Sequence, residues 1–254
     1  LFGGRLPAPN LKTLAGLTNY VEEHGCDIGI ATDGDADRLG VIDDKAEFLH
    51  PNKILVLLYY YLMRYRGWRG AAVRNLATTH LLDRIAEDFG ETCYEVPVGF
   101  KYVSAKMVET GAIIGGESSG GLTVRGHIQG KDGIYAAALL VEAIAKTGRR
   151  LSALWDEITQ KYGAAEMAEH DFHFSSAERT RIFKLLMEDK QLPEFPCEIA
   201  KVSYMDGCKV YFKNGGWVIA RFSGTEPLLR VFCEMDTMEN AEKIAKILTE
   251  FLSL

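Results

Sequence analysis

Apolar positions along this chain change their spacing from stretch to stretch. Leu11, Leu14, Leu17 and Val21 recur at near-helical intervals, and Gly25 supplies a stop. Asp27–Thr32 then reads as a short buried strand. Strand character returns at Leu39–Ile42, and Asp43-Asp44 makes a turn. The longest unbroken apolar run, Ile54–Met63, is bracketed by Lys53 and Arg64 and lies just after Pro51, which opens a helix. A bilayer span needs about 20 residues, so this run predicts a buried helix and no membrane partner.

From Pro51 to Gly163 helices and short strands alternate. A helix is predicted over His80–Phe89, with Thr79 as its cap and Gly90 as its stop, and a strand over Thr92–Val96. Phe100, Val103 and Met107 share a helical face that ends at Gly111, and Ala112–Gly115 is a short buried strand. Asp132–Lys146 is a helix capped by Asp132 and stopped by Gly148; Leu151, Leu154 and Ile158 mark another. Such alternation predicts an α/β layer domain with a mixed, mainly parallel sheet.

After Gly163 the pattern changes. Met167–Phe174 is strand-like, Ser176–Lys190 helical, and strands follow near Ile199–Tyr204, Lys209–Phe212, Trp217–Ala220 and Leu228–Glu234. Asp206-Gly207 and Asn214-Gly215 sit between them as hairpin turns. Asp236 with Glu239 reads as a capping box for the last helix. This is an α+β domain: an antiparallel sheet with helices on one side.

Composition adds exclusions. Net charge is −6, so the chain is not built to coat nucleic acid, which needs a basic stripe. The five cysteines are odd in number and none has C-x-x-C spacing, which favours reduced thiols over a zinc site or a disulfide framework and points to the cytoplasm. The chain begins Leu1-Phe2-Gly3-Gly4, which is not an initiator sequence and is expected of a fragment or a processed chain. No signal peptide is visible.

Four loops carry candidate chemistry. In Asp33-Gly34-Asp35-Ala36-Asp37-Arg38, directly after a strand, three carboxylates alternate with two small residues and can aim at one point. Hard oxygen donors of this kind suit Mg²⁺. An EF-hand would need Gly and Glu where Arg38 and Asp44 stand. A phosphatase built on D-x-D-x-[TV] is also a poor match, since the fifth position of that pattern falls on Asp37 or Leu39. In Gly115-Gly116-Glu117-Ser118-Ser119-Gly120-Gly121, four glycines allow close backbone approach to a ligand. Glu117 and Ser119 add an acceptor and a hydroxyl suited to sugar hydroxyls; taken alone, a flexible loop fits equally. Arg221-Phe222-Ser223-Gly224-Thr225-Glu226-Pro227, with Arg230 following, offers forked donors, hydroxyls and free backbone N–H groups to a phosphate. A hairpin loop with surface arginines is the plainer alternative. Lys101, in Gly99-Phe100-Lys101 at a helix start, gains nothing from the dipole there. That placement fits a ligand-facing or acid/base lysine, or an ordinary surface one.

The order of these loops resembles the phosphoglucomutase/phosphomannomutase family, the α-D-phosphohexomutases, over essentially the whole chain. The resemblance implies four domains around one cleft. Residues 1–45 would be the end of domain two with the metal loop, 46–165 the α/β domain three with the sugar loop, and 166–254 the α+β domain four with the phosphate loop. Asp33, Asp35 and Asp37 would be the Mg²⁺ ligands, and Arg38 would sit beside the transferring phosphoryl group. Glu117 and Ser119 would hold sugar hydroxyls, and Arg221, Ser223, Gly224, Thr225 and Arg230 would clamp the phosphate that is not reacting. Lys101 would be the general acid/base. The implied reaction interconverts hexose 1-phosphate and hexose 6-phosphate through a phosphoserine and a hexose 1,6-bisphosphate, which also serves the full-length enzyme as activator.

Two features depart from the family pattern. The phosphoserine lies in a T-x-S-H-N-P-type loop, and none of the six histidines here follows a serine. The chain alone is therefore expected to be catalytically silent, with the missing N-terminal domains as its partners. Its N-terminal remnant, short of most of its sheet, is expected to expose an apolar face and to self-associate through it. Second, many mannose- and glucosamine-type members place a histidine where this chain has Gly121. With Lys101 present, the pattern leans toward glucose phosphates.

Overall fold

A computed structural model describes residues 4, 7–224 and 226–254. The chain divides into two compact units, Leu1–Gly163 and Ala164–Leu254.

The first unit opens with α1 (Ala15–His24), closed by Gly25 in the left-handed region at φ 59°. The helix starts later than the Leu11 periodicity implied, because Asn10 to Leu14 form a turn fastened by the Asn10 carboxamide and the Thr13 hydroxyl. β1 (Gly29–Thr32), β2 (Leu39–Ile42) and β3 (Phe48–Leu49) make an antiparallel sheet of their own. Leu14, Val21 and Ile42 form its small core with α1. β3 is only two residues long and carries no periodic signal.

α2 (Pro51–Arg64) follows, with Pro51 in its first turn and every residue from Ile54 to Met63 buried, as the apolar run predicted. β4 (Ala72–Asn75), α3 (Leu81–Asp88), β5 (Cys93–Val96), α4 (Phe100–Thr110), β6 (Ile114–Gly116) and β7 (Leu122–Val124) build a second sheet in the order β5-β4-β6-β7. β4 pairs in parallel with both β5 and β6, while β7 returns antiparallel to β6. The sheet is thus mixed and mainly parallel, with α-helical crossovers between its parallel strands. α3 begins one residue later than expected, with His80 rather than Thr79 at the cap position and no side-chain cap; the Thr79 hydroxyl, one residue outside it, accepts the Leu81 N–H at 3.1 Å. α5 (Gly133–Thr147), capped by Asp132 through the Tyr135 N–H, and α6 (Leu151–Tyr162) complete the unit. No described helix is long and apolar enough to cross a membrane.

The second unit is a five-stranded antiparallel sheet with helices. Its strands are β8 (Glu166–His173), β9 (Ile199–Ser203), β10 (Cys208–Phe212), β11 (Trp217–Phe222) and β12 (Leu228–Met235), in the order β8-β12-β11-β10-β9. α7 (Ser176–Phe183) and α8 (Met238–Phe251) flank it, and Ile182, Val210, Val218, Val231, Ile244 and Leu248 are among the side chains of its core. Two local expectations are corrected. The helix predicted to Lys190 stops being α-helical at Phe183 and widens into a π-helical turn, Lys184–Glu188. The last helix is capped by Thr237, whose hydroxyl accepts the Asn240 N–H, rather than by Asp236 with Glu239; Asp236 instead accepts from the Asn240 side chain. A capping box does occur at Ser175 and Glu178.

Candidate functional site

The acidic loop spans the gap between β1 and β2. Asp33 is 5% exposed and is held by Arg38 twice, through the backbone N–H at 3.1 Å and through Nε at 2.6 Å. Burial alone would raise its carboxyl; the Arg38 backbone and side-chain hydrogen bonds outweigh it and hold the group below its usual range. Between the acids, Ala36 sits at φ 61°, a left-handed position that costs a residue with a Cβ some energy. The carboxylate oxygens of Asp33, Asp35 and Asp37 lie within 4.8 Å of one another. Three hard oxygen donors converging so closely fit Mg²⁺.

The loop is fastened from outside. Its Ala36 carbonyl accepts the Gly133 N–H at 2.9 Å, at the first turn of α5. A Cβ at Gly133 would stand 3.0 Å from the carbonyl oxygens of both Ala36 and Arg38, so glycine is what lets the two segments meet. Asp37 pairs with the Lys131 ammonium, and Arg38 forms an isolated bridge with Gly121. That bridge joins the acidic loop to the glycine-rich loop 115–121.

The glycine-rich loop 115–121 is a tight reversal between β6 and β7, closed by the Gly120 N–H on the Glu117 carbonyl and the Glu117 N–H on the Gly121 carbonyl. Gly120, at φ 98°, passes against the Leu39 carbonyl of β2. Glu117 is buried and Ser119 exposed. Glu117 Oε1 accepts from the Gly99 N–H and from Asn75 Nδ2, both at 3.0 Å. Three of the four loops read from the sequence are thus tied together within the first unit. Lys101 lies two residues beyond Gly99 and is exposed, its ammonium 4.9 Å from the Tyr102 ring centroid.

Sequence reasoning passed over Lys131, Gly133 and Asn75. Lys131-Asp132-Gly133 was legible only as a helix start; that its lysine reaches Asp37 depends on a tertiary contact. Asn75 had no motif around it, but it ends a strand of the parallel sheet, where functional side chains gather in α/β folds.

In the second unit, Arg221 on β11 and Arg230 on β12 stand directly opposite in the antiparallel register. Like charges so placed repel. Here carboxylates offset them: Arg221 Nε bonds Asp206 at 2.8 Å, and Arg230 pairs with Asp171 at 3.5 Å and Glu226 at 3.4 Å. Ser223 closes the turn, its N–H on the Leu228 carbonyl and its hydroxyl accepting the Glu226 N–H. Gly224 has open space around it. Thr225 lies outside the described residues.

Fold and loops together define a class: an α/β unit with three converging carboxylates tied to a loop that carries a buried glutamate, followed by an α+β unit with a paired-arginine turn. Known proteins share both halves. Residues 1–46 match the model for phosphoglucomutase/phosphomannomutase alpha/beta/alpha domain II, 50–162 that for alpha/beta/alpha domain III, and 183–251 that for the C-terminal domain. A phosphoglucomutase/phosphomannomutase of Thermococcus kodakarensis is 34% identical over 97% of this chain and 51% of its own length. A protein assigned as a phosphoglucosamine mutase in Methanosarcina barkeri is 34% identical over 96% of this chain and 54% of its own. Among solved structures, one assigned as a phosphomannomutase from Thermus thermophilus superposes with a TM-score of 0.82 at 30% identity, covering 100% of this chain and 52% of that one. The chain belongs to the α-D-phosphohexomutase family. It spans about half the length of the curated relatives it matches.

Proposed function

We propose that this chain is the part of a phosphohexomutase that holds the metal, the sugar hydroxyls and the non-reacting phosphate, with glucose phosphates as the preferred substrates. The observation that carries the reading is the joining of the acidic loop to the sugar loop through the Arg38–Gly121 bridge, with Glu117 fixed beside it. Asp33, Asp35 and Asp37 would hold Mg²⁺, which neutralises charge on phosphoryl oxygens when bound. Arg38, anchored on Asp33, keeps a guanidinium beside that centre. Glu117 accepts from sugar hydroxyls, with Ser119 adding a donor or acceptor. Arg221, Ser223, Gly224 and Arg230 bind the second phosphate. Among the described residues, Lys131 is a lysine in contact with the acidic loop and is better placed than Lys101, which lies toward solvent, to meet a reacting phosphate.

In the family reaction a phosphoserine gives its phosphoryl group to the free hydroxyl of the sugar phosphate, and the serine takes back the other phosphoryl group from the bisphosphate. Positioning and charge neutralisation supply most of the catalysis in such transfers. No serine–histidine pair exists in these 254 residues, so turnover needs the phosphoserine of a fuller polypeptide. The glucose preference rests on Gly121 together with Lys101. Relatives carry phosphomannomutase and phosphoglucosamine mutase names as well.

The test is isothermal titration of glucose 1-phosphate and glucose 6-phosphate into this chain and into Arg221→Ala. Weak binding by the wild type that is lost in the variant is expected. Binding that survives in Arg221→Ala, or none in the wild type, would overturn the assignment of the phosphate loop.

A further inference from the structure

Two buried polar residues of the first unit, Asn75 and Thr78, lead to one buried carboxylate, Glu117. β4 and β6 run in parallel with Arg74 opposite Gly116, which brings the next residues, Asn75 and Glu117, to the same level at the ends of their strands. Asn75 is 2% exposed and Thr78 is fully buried. The Asn75 carboxamide has one orientation that satisfies it. Its oxygen accepts the Ala77 N–H at 2.9 Å and the Thr78 hydroxyl at 2.8 Å, and a backbone N–H can only donate. Its nitrogen therefore faces Glu117 as a donor, at 3.0 Å. Thr78 Oγ1 in turn accepts the Ser118 N–H at 3.1 Å.

Glu117 Oε1 is thus filled by two donors, Asn75 Nδ2 and the Gly99 N–H. No described residue donates to Oε2. A carboxylate held by one oxygen presents the other in a fixed direction, and as an acceptor only. We propose that Asn75, with Thr78 behind it, is a positioning residue that aims Glu117 Oε2 at a ligand hydroxyl and fixes the sugar loop to the end of β4. The role rests on the phosphosugar reading for the ligand, but the brace itself does not. Asn75 touches no substrate; it acts through Glu117. Its consequence is selectivity: the brace strengthens binding of a hydroxyl-bearing phosphate ester and is indifferent to inorganic phosphate, which offers Glu117 no sugar hydroxyl.

The experiment has two arms on the 254-residue chain. Without ligand, amide hydrogen exchange is followed by NMR. Asn75→Ala is expected to speed exchange at Gly99 about tenfold, the loss of order reckoned from one hydrogen bond to a charged group. Thr78→Val is expected to do the same at Ser118, whereas Thr78→Ser, which keeps the hydroxyl, retains protection. With ligand, Asn75→Ala is expected to weaken glucose 6-phosphate binding about tenfold, to leave inorganic phosphate binding unchanged, and to add nothing to Glu117→Ala in the double variant. Unchanged Gly99 exchange in a folded Asn75→Ala protein, or losses that add in the double variant, would overturn the proposal. A wild type that binds hexose phosphate no better than inorganic phosphate would overturn the phosphosugar reading, while the exchange arm would still decide the brace.

Discussion

Gly133→Ala is the change that presses hardest on the metal loop without touching a carboxylate. The new methyl would lie 3.0 Å from the carbonyl oxygens of Ala36 and Arg38 and 3.1 Å from the Arg38 carbonyl carbon. Ordinary carbon–oxygen contacts run about 3.3–3.6 Å, so the loop must retreat by a few tenths of an ångström. All three contacts are backbone atoms of the segment that carries Asp33, Asp35 and Asp37, so no rotamer change can relieve them. Overpacking of this kind costs about 1–3 kcal/mol, and replacing glycine by alanine in a helix returns about 1 kcal/mol. The net loss of stability is therefore about 1 kcal/mol, which lowers Tm by about 2–4 °C in a chain of this size. Cation coordination is less forgiving than folding, because it depends on three oxygens converging. We expect Mn²⁺ affinity, measured by electron paramagnetic resonance titration, to fall about tenfold, equivalent to about 1.4 kcal/mol. Gly16→Ala is the control: nothing lies within 4 Å of its added Cβ inside α1. It should gain about 0.5–1 kcal/mol and bind Mn²⁺ like the wild type. A Gly133→Ala protein with wild-type Mn²⁺ affinity, or with a raised Tm like the control, would refute the reasoning.

Two further outcomes test the scaffold around the site. Arg74 is 3% exposed and is forked onto Asp83 at 2.6 and 2.9 Å while bonding Glu95 at 2.6 Å. Arg74→Met removes a buried cation shared by two carboxylates, of which Glu95 keeps His80 at 3.6 Å and Asp83 is 39% exposed, so it should cost about 1–3 kcal/mol by urea unfolding; a loss within experimental error would show that the network relaxes freely. The Asp132 carboxyl is held low, first by the His127 ring 2.7 Å away and then by the Tyr135 N–H. A depressed carboxyl stabilises the fold above its unfolded value of 3.8, and the contribution fades as pH falls through the folded value. Wild type should therefore lose more stability than Asp132→Asn as pH drops below about 4, and parallel pH profiles would contradict the assignment.

What the sequence made legible was whatever a local pattern encodes. The buried helix Ile54–Met63, the Asp132 cap of α5, the α/β-then-α+β order and the four loops all follow from spacing and residue type within a few positions. What it hid depended on partners far along the chain. β7 is three residues long and exists because β6 offers it an edge, so no periodicity announces it. The Ser176–Lys190 stretch keeps a helical composition through its π-helical turn, Lys184–Glu188, which holds no glycine or proline to announce the change. Within the site, the acidic triplet could be recognised from three aspartates in five positions, but its fixing by Gly133 lies about a hundred residues away. The same holds for Glu117: the carboxylate was readable, while its donors come from Asn75 and Gly99 on other elements.

Position 121 shows why a site residue read singly can mislead. A side chain there would run into the Lys131 side chain, whose Cγ would lie 2.8 Å from the added Cβ. The glycine therefore does more than omit a side chain. It clears the space through which Lys131 passes to pair with Asp37 of the acidic loop. Any larger residue at 121 must shift the Lys131 side chain or the 115–121 loop, which Gly120 and the Arg38–Gly121 bridge pin against β2 and the acidic loop. The path of the Lys131 side chain to Asp37 and the identity of residue 121 are thus coupled. A glucose preference argued from Gly121 is an argument about where the Lys131 ammonium sits, and the two positions have to be varied together to learn which sugar the site selects.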